Sequence, residues 1–81
     1  MNKIEKFLKK LTSRERHLLL KIFTDIKSLH IGSYDVKALK GYKNLYRLRK
    51  GDWRIIFAKD ERNRRGLVVN VGYRKDIYQD L

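Results

Sequence analysis

The chain has 81 residues, enough for one domain with one modest core, and 42% of them are hydrophobic, so it is expected to fold. It has no cysteine and only two histidines, His17 and His30, which excludes disulfides and thiolate sites and predicts no structural metal and no cofactor. Lys and Arg total 21 against 9 acidic residues, a net charge of +12. An excess of this size on so small a domain predicts a polyanionic partner, nucleic acid before an anionic membrane or an acidic protein.

In chain order, Ile4, Phe7, Leu8 and Leu11 recur at helical spacing among Lys and Glu, which predicts a short amphipathic helix near the N-terminus. Thr12-Ser13-Arg14-Glu15 fits a capping box that opens a second helix. Its apolar face is Leu19, Ile22, Phe23, Ile26 and Leu29, and Gly32 is the expected C-terminal stop. Residues 33–44 have mixed polarity and read as a connecting segment. Leu45-Tyr46-Arg47-Leu48-Arg49 and Trp53-Arg54-Ile55-Ile56-Phe57-Ala58 flank Gly51-Asp52, the pattern of a β-hairpin. A charged loop over residues 60–66 leads to a third strand, Leu67-Val68-Val69-Asn70-Val71-Gly72-Tyr73. The order helix, helix, strand, strand, strand predicts a single α+β domain over residues 1–81, with an N-terminal helical hairpin packed on a small antiparallel β-sheet. No apolar run approaches the roughly 20 residues that span a bilayer. The first residues are charged and amphipathic, unlike a signal peptide. The expectation is a cytoplasmic protein without a membrane partner.

Strand side chains alternate between faces. With Gly51 and Asp52 in a two-residue turn, Arg49 pairs with Arg54. Tyr46, Leu48, Ile55 and Phe57 then share an apolar face, joined by Val69, Val71 and Tyr73 of the third strand, and Trp53 falls on the same side. Arg47, Arg49 and Arg54 share the other face with Val68, Asn70, Gly72 and Arg74, where Gly72 is expected to leave room for a ligand. Two arginines directly opposite each other repel by about 0.2–1 kcal/mol, and an anion seated between them reverses that sign. Guanidinium groups bind phosphate in a bidentate way and stay charged at any working pH.

These residues resemble a known family. Leu39-Lys40-Gly41-Tyr42, Leu45-Tyr46-Arg47-Leu48-Arg49, Gly51-Asp52-Trp53-Arg54-Ile55-Ile56-Phe57 and Val71-Gly72-Tyr73-Arg74-Lys75-Asp76-Ile77-Tyr78 are similar to the RelE/ParE superfamily of bacterial toxins. The resemblance covers about half of the chain. It implies a RelE-like fold, although the strand that usually precedes the first helix of the family is missing from the pattern here. It also implies the toxin half of a toxin–antitoxin pair, with an acidic antitoxin protein as partner. RelE-like members act on messenger RNA in the ribosomal A site, whereas ParE-like members poison DNA gyrase without being nucleases.

Carried over residue by residue, the RelE-type catalytic set falls on Arg49, Arg54, Arg74 and Tyr78, and the RNA-binding positions on Arg47, Arg49 and Lys50. Arg47 and Arg49 stand where RelE has lysines, which keeps the charge and weakens proton donation. Tyr73 stands where many relatives have a histidine. The implied reaction is metal-independent attack by the RNA 2′-hydroxyl, with Arg54 and Arg74 on the phosphate and Tyr78 acting on the 2′-hydroxyl. Tyr78 as an aromatic anchor of the C-terminal tail is the structural alternative. A non-enzymatic ParE-like gyrase inhibitor, an inactive relative, or a basic ribosome-binding protein without toxicity are the other readings of the same residues.

Overall fold

The computed structural model describes residues 2–74 and residue 77. Two helices, α1 (Lys3–Lys9) and α2 (Ser13–Lys27), precede four strands, β1 (Asp35–Ala38), β2 (Leu45–Lys50), β3 (Trp53–Asp60) and β4 (Arg65–Tyr73). The strands form one antiparallel sheet in the order β1-β2-β3-β4. This is the expected α+β arrangement of N-terminal helices on a small antiparallel sheet, with one strand more than the sequence suggested. Among the described residues no strand precedes α1.

Local chemistry explains where the helices start and stop. The Asn2 side chain accepts from the Glu5 N–H at 2.8 Å and caps α1. Arg16 closes its other end, donating from Nε to the Leu8 carbonyl and from Nη2 to the Leu11 carbonyl at 3.1 and 3.2 Å. The capping box at α2 forms as its sequence implies: Thr12 Oγ1 accepts from the Glu15 N–H and Glu15 Oε1 accepts from the Thr12 N–H.

The stop at Gly32 is not used. Helix α2 ends at Lys27, and Leu29 takes the left-handed conformation (φ 59°). The Leu29 N–H then reaches the Ile26 carbonyl and the His30 N–H reaches the Asp25 carbonyl, at 3.0 and 2.8 Å, a Schellman closure. Glycine usually fills that position, so a sequence reading looks for one. Here a leucine occupies it and packs against the core, which offsets the conformational cost of the left-handed region.

The core lies between the helices and one face of the sheet. Phe7, Leu11, Leu19, Ile22 and Ile26 meet Leu48, Trp53, Ile55, Phe57 and Val71. Two cross-strand rows make that sheet face: Val36, Leu48, Ile55 and Val71, and beside them Ala38, Tyr46, Phe57 and Val68. Tyr46 and Phe57 stack with their centroids 5.7 Å apart. Gly66 lets β4 meet α2 closely. A Cβ there would collide with the Ile26 carbonyl oxygen and stand 2.9 Å from Ile26 Cγ2.

A bulge in β4 changes the expected faces. Ile56 pairs with Asn70 and Phe57 with Val68, so Val69 has no partner across the ladder. The parity of β4 inverts at this point. Val68, expected on the cationic face, packs against the core, and Val69, expected in the core, is exposed. Tyr73, also expected in the core, is exposed at the end of β4 and touches Phe7 edge to face, with centroids 5.1 Å apart.

Candidate nucleic-acid interface

The sheet face turned away from the helices carries the arginines. The hairpin register is the expected one: Lys50 pairs with Trp53 around Gly51 (φ 56°), and Arg49 pairs with Arg54. Ladder pairing continues across all four strands. One row reads Asp35, Arg49, Arg54, Gly72, and the next reads Lys37, Arg47, Ile56, Asn70.

The arginines of this face are held differently. Arg54 is only 6% exposed. Its Nη1 donates to the Gly51 and Trp53 carbonyls, each at 2.8 Å, which fixes the guanidinium against the turn. Among the described residues it has no carboxylate partner. Arg47 is 9% exposed, and its Nη2 lies 3.4 Å from Asp35 Oδ1. The Arg49 side chain is half exposed and pairs through Nη2 with Asp35 Oδ2 at 2.8 Å. One carboxylate therefore bridges two guanidinium groups from the neighbouring strand. Arg74 follows β4 and is exposed, and its backbone N–H donates to the Asp52 carbonyl at 2.9 Å. Arg54 and Arg74 are thus both tied to the β2–β3 turn, one by side chain and one by backbone.

The structure brings Arg47, Arg49 and Arg54 onto one face and Arg74 to the turn at its end. It does not bring Lys50 with them. Lys50 has the parity of Leu48 and borders a shallow pocket with Glu15, Leu18, Trp53 and Tyr73, on the helix side of the sheet. Tyr78 lies outside the described residues. Gly72 does not leave the open room expected of it, because a Cβ placed there would already touch Ile77 Cδ1 at 3.6 Å, and Ile77 is itself buried. Apolar side chains interrupt the cationic face at this end, with Ile56 fully buried in the adjacent row.

Asp35 is the member of the site that the sequence reading missed. Its signal was the polar–apolar alternation Asp35, Val36, Lys37, Ala38 in the sequence, inside a segment read as a connection. A four-residue strand is short enough to be lost in mixed composition. The ionisation of Tyr34, its chain neighbour, is altered by a separate contact. Tyr34 donates to Asp25 Oδ2 at 2.6 Å, which pushes the phenol up to about 12 and lowers the Asp25 carboxyl.

Fold and site together define an α+β protein with one sheet face given to its core and the other to a cluster of arginines. No family model, curated protein or solved structure matches the chain. Among the described residues, no helix is long and apolar enough to cross a membrane.

Proposed function

We propose that the chain is a toxin of the RelE/ParE type that binds messenger RNA on the ribosome and cleaves it. The observation that supports this most is Arg54. A guanidinium that is nearly buried, fixed by two carbonyls and, among the described residues, without a carboxylate partner is costly until an anion completes it. Arg49 stands directly across the ladder, so a phosphate between the two strands meets both. Little water surrounds Arg54, so its charge is weakly screened and counts for more than a surface arginine.

In this reading the RNA 2′-oxygen bonds to its neighbouring phosphorus and the bond from phosphorus to the 5′-oxygen breaks. The products are a 2′,3′-cyclic phosphate and a 5′-hydroxyl. Arg54 and Arg74 offset the charge that grows on the phosphoryl oxygens. Tyr78 orients the 2′-hydroxyl or, as its phenolate, takes the proton, and a proton reaches the leaving 5′-oxygen from solvent or from a group on the ribosome. The partners in this reading are ribosome-bound messenger RNA and an acidic antitoxin, and the place of action is the cytoplasm.

The test is induced expression followed by primer extension on cellular messenger RNA, then cleavage on programmed ribosomes by the wild type, Arg74→Ala and Tyr78→Phe. The expected result is growth arrest with new 5′ ends, and losses of orders of magnitude in both variants with folding retained. A Tyr78→Phe variant that cuts at the wild-type rate removes the hydroxyl from the chemistry. The second reading is a ParE-like binder that does not cut. It is favoured by the Asp35 bridge, which already engages Arg47 and Arg49 within the fold. Arrest of supercoiling by gyrase with no cleaved RNA decides for it.

A further inference from the structure

The arginine face contains its own anion. Asp35 lies at the start of β1, a four-residue strand at the edge of the sheet, directly across the ladder from Arg49. Its two oxygens reach two different guanidinium groups, Oδ2 to Arg49 at 2.8 Å and Oδ1 to Arg47 at 3.4 Å. A phosphate gripped by two arginines uses the same arrangement, one oxygen to each. The carboxylate is about one-third exposed, Arg49 half exposed and Arg47 mostly covered, so the bridge sits at the solvent boundary where an incoming strand must pass.

We propose that Asp35 is a built-in competitor for the RNA phosphate, a positioning residue that holds Arg47 and Arg49 in their binding geometry and must be displaced before they contact RNA. The inference rests on the RNA-binding reading given above. Its physical content is a subtraction. Each phosphate that docks on Arg47 or Arg49 first breaks an ion pair, so these contacts yield less than free arginines do. Among the described residues Arg54 has no such competitor. A strand that seats only on the rim gains little, whereas one that also reaches Arg54 gains enough to open the bridge. The device thus weakens adventitious binding of polyanions to a chain of net charge +12 more than it weakens a properly seated substrate.

The experiment is a salt titration of a short single-stranded RNA against the full chain, as wild type, Asp35→Asn, Asp35→Glu, and Arg47→Ala with Arg49→Ala, the last both with and without Asp35→Asn. Thermal midpoints are measured alongside. Asp35→Asn is expected to bind about three- to tenfold more tightly at physiological salt, with a steeper dependence on log salt by about 0.7 for each arginine released. Asp35→Glu keeps the carboxylate and should restore the wild-type slope, which a simple loss of strand stability does not do. The Asn substitution should have no effect when both arginines are absent. Wild-type affinity and slope in Asp35→Asn, or weaker binding in a folded Asp35→Asn, overturns the Asp35 proposal while leaving the RNA reading intact. If neither wild type nor Asp35→Asn binds RNA, the RNA reading itself falls and takes this one with it.

Discussion

The two faces of the sheet are made from the same strands, one residue apart, and they obey different rules. On the helix side, Leu48, Ile55, Phe57 and Val71 lock against α1 and α2, and shape complementarity decides what is tolerated there. On the other side, Arg47 and Arg54 are nearly as buried, yet they are held by point contacts to one carboxylate and two carbonyls. Burial alone therefore does not mark the core in this molecule. It marks two layers, one built by packing and one whose charges are held by local polar contacts.

The largest expected effect separates these layers. Phe57→Ala should cost about 3–5 kcal/mol by opening a cavity in the packed layer. For a domain of this size that lowers the thermal midpoint by about 4–8 °C per kcal/mol. Arg54→Met keeps much of the volume and removes a buried charge that has no carboxylate partner among the described residues. Its stability should change by much less than that of Phe57→Ala, since relief of the buried charge is set against two lost hydrogen bonds to carbonyls, while RNA binding falls. Thermal melts of both variants beside RNA titrations check this. If Arg54→Met melts as low as Phe57→Ala, the two faces do not differ in kind and Arg54 is a structural residue.

Gly66→Ala is the next largest. Gly66 has the helix-side parity of Val68, and a methyl group there meets the Ile26 carbonyl. Either α2 moves away from β4 or the strand bends, at a cost of about 1–3 kcal/mol. The arginine face should keep its RNA affinity at temperatures where the variant is folded. Equal losses of stability and affinity would mean that α2 and the arginine rows are mechanically coupled through β4.

Alternation along strands made most of this legible from the sequence. The Arg49–Arg54 pair and the apolar row through Leu48 and Ile55 follow from the two-residue turn at Gly51 and Asp52. What alternation cannot carry is an extra residue. The bulge at Val69 exchanges the places of Val68 and Val69, and nothing in a run of two valines says which one lacks a partner. The α2 terminus was misread for a different reason. A left-handed residue is sought at glycine, and Leu29 adopts that conformation because its side chain gains contacts in the core. Asp35 was hidden by brevity, since four residues of mixed polarity give the period-two signal only two repeats. The contact between Ile77 and Gly72 depends on how the chain turns after β4, which no local pattern specifies.

A smaller effect is expected at the start of α2. Thr12→Ala removes the acceptor for the Glu15 N–H and leaves only the half of the capping box donated by the residue 12 backbone. The cost is about 0.5–2 kcal/mol, read from urea unfolding at constant m-value. Since the cap lies on the helical layer, RNA affinity should not change. A shift in affinity without a shift in stability would place Thr12 or its neighbours Arg14 and Arg16 in contact with RNA and extend the binding surface around the molecule.

The smallest effect concerns Tyr34 and Asp35, adjacent residues whose side chains serve opposite layers. Asp35 pairs with the arginines, while Tyr34 donates to Asp25 on α2 and ties the start of β1 to the helices. That hydrogen bond raises the Tyr34 phenol from 10.0 to about 12 and lowers the Asp25 carboxyl from 3.8, with Lys21 assisting at 3.6 Å. A raised tyrosine pKa means that the bond stabilises the fold fully below pH 10 and is lost as pH climbs through about 12. A lowered carboxyl means that its share is present above 3.8 and disappears as pH falls through the depressed value. The difference in stability between wild type and Tyr34→Phe should therefore be a plateau that declines at both ends. The contact is partly exposed and screened, so the plateau should be low. Urea midpoints of the two proteins across an acid and an alkaline series measure it. RNA affinity should follow neither leg, because Tyr34 touches the helical layer alone. If Tyr34→Phe instead changes RNA binding at neutral pH, the tie to α2 also sets the position of Asp35, and the two layers communicate through β1.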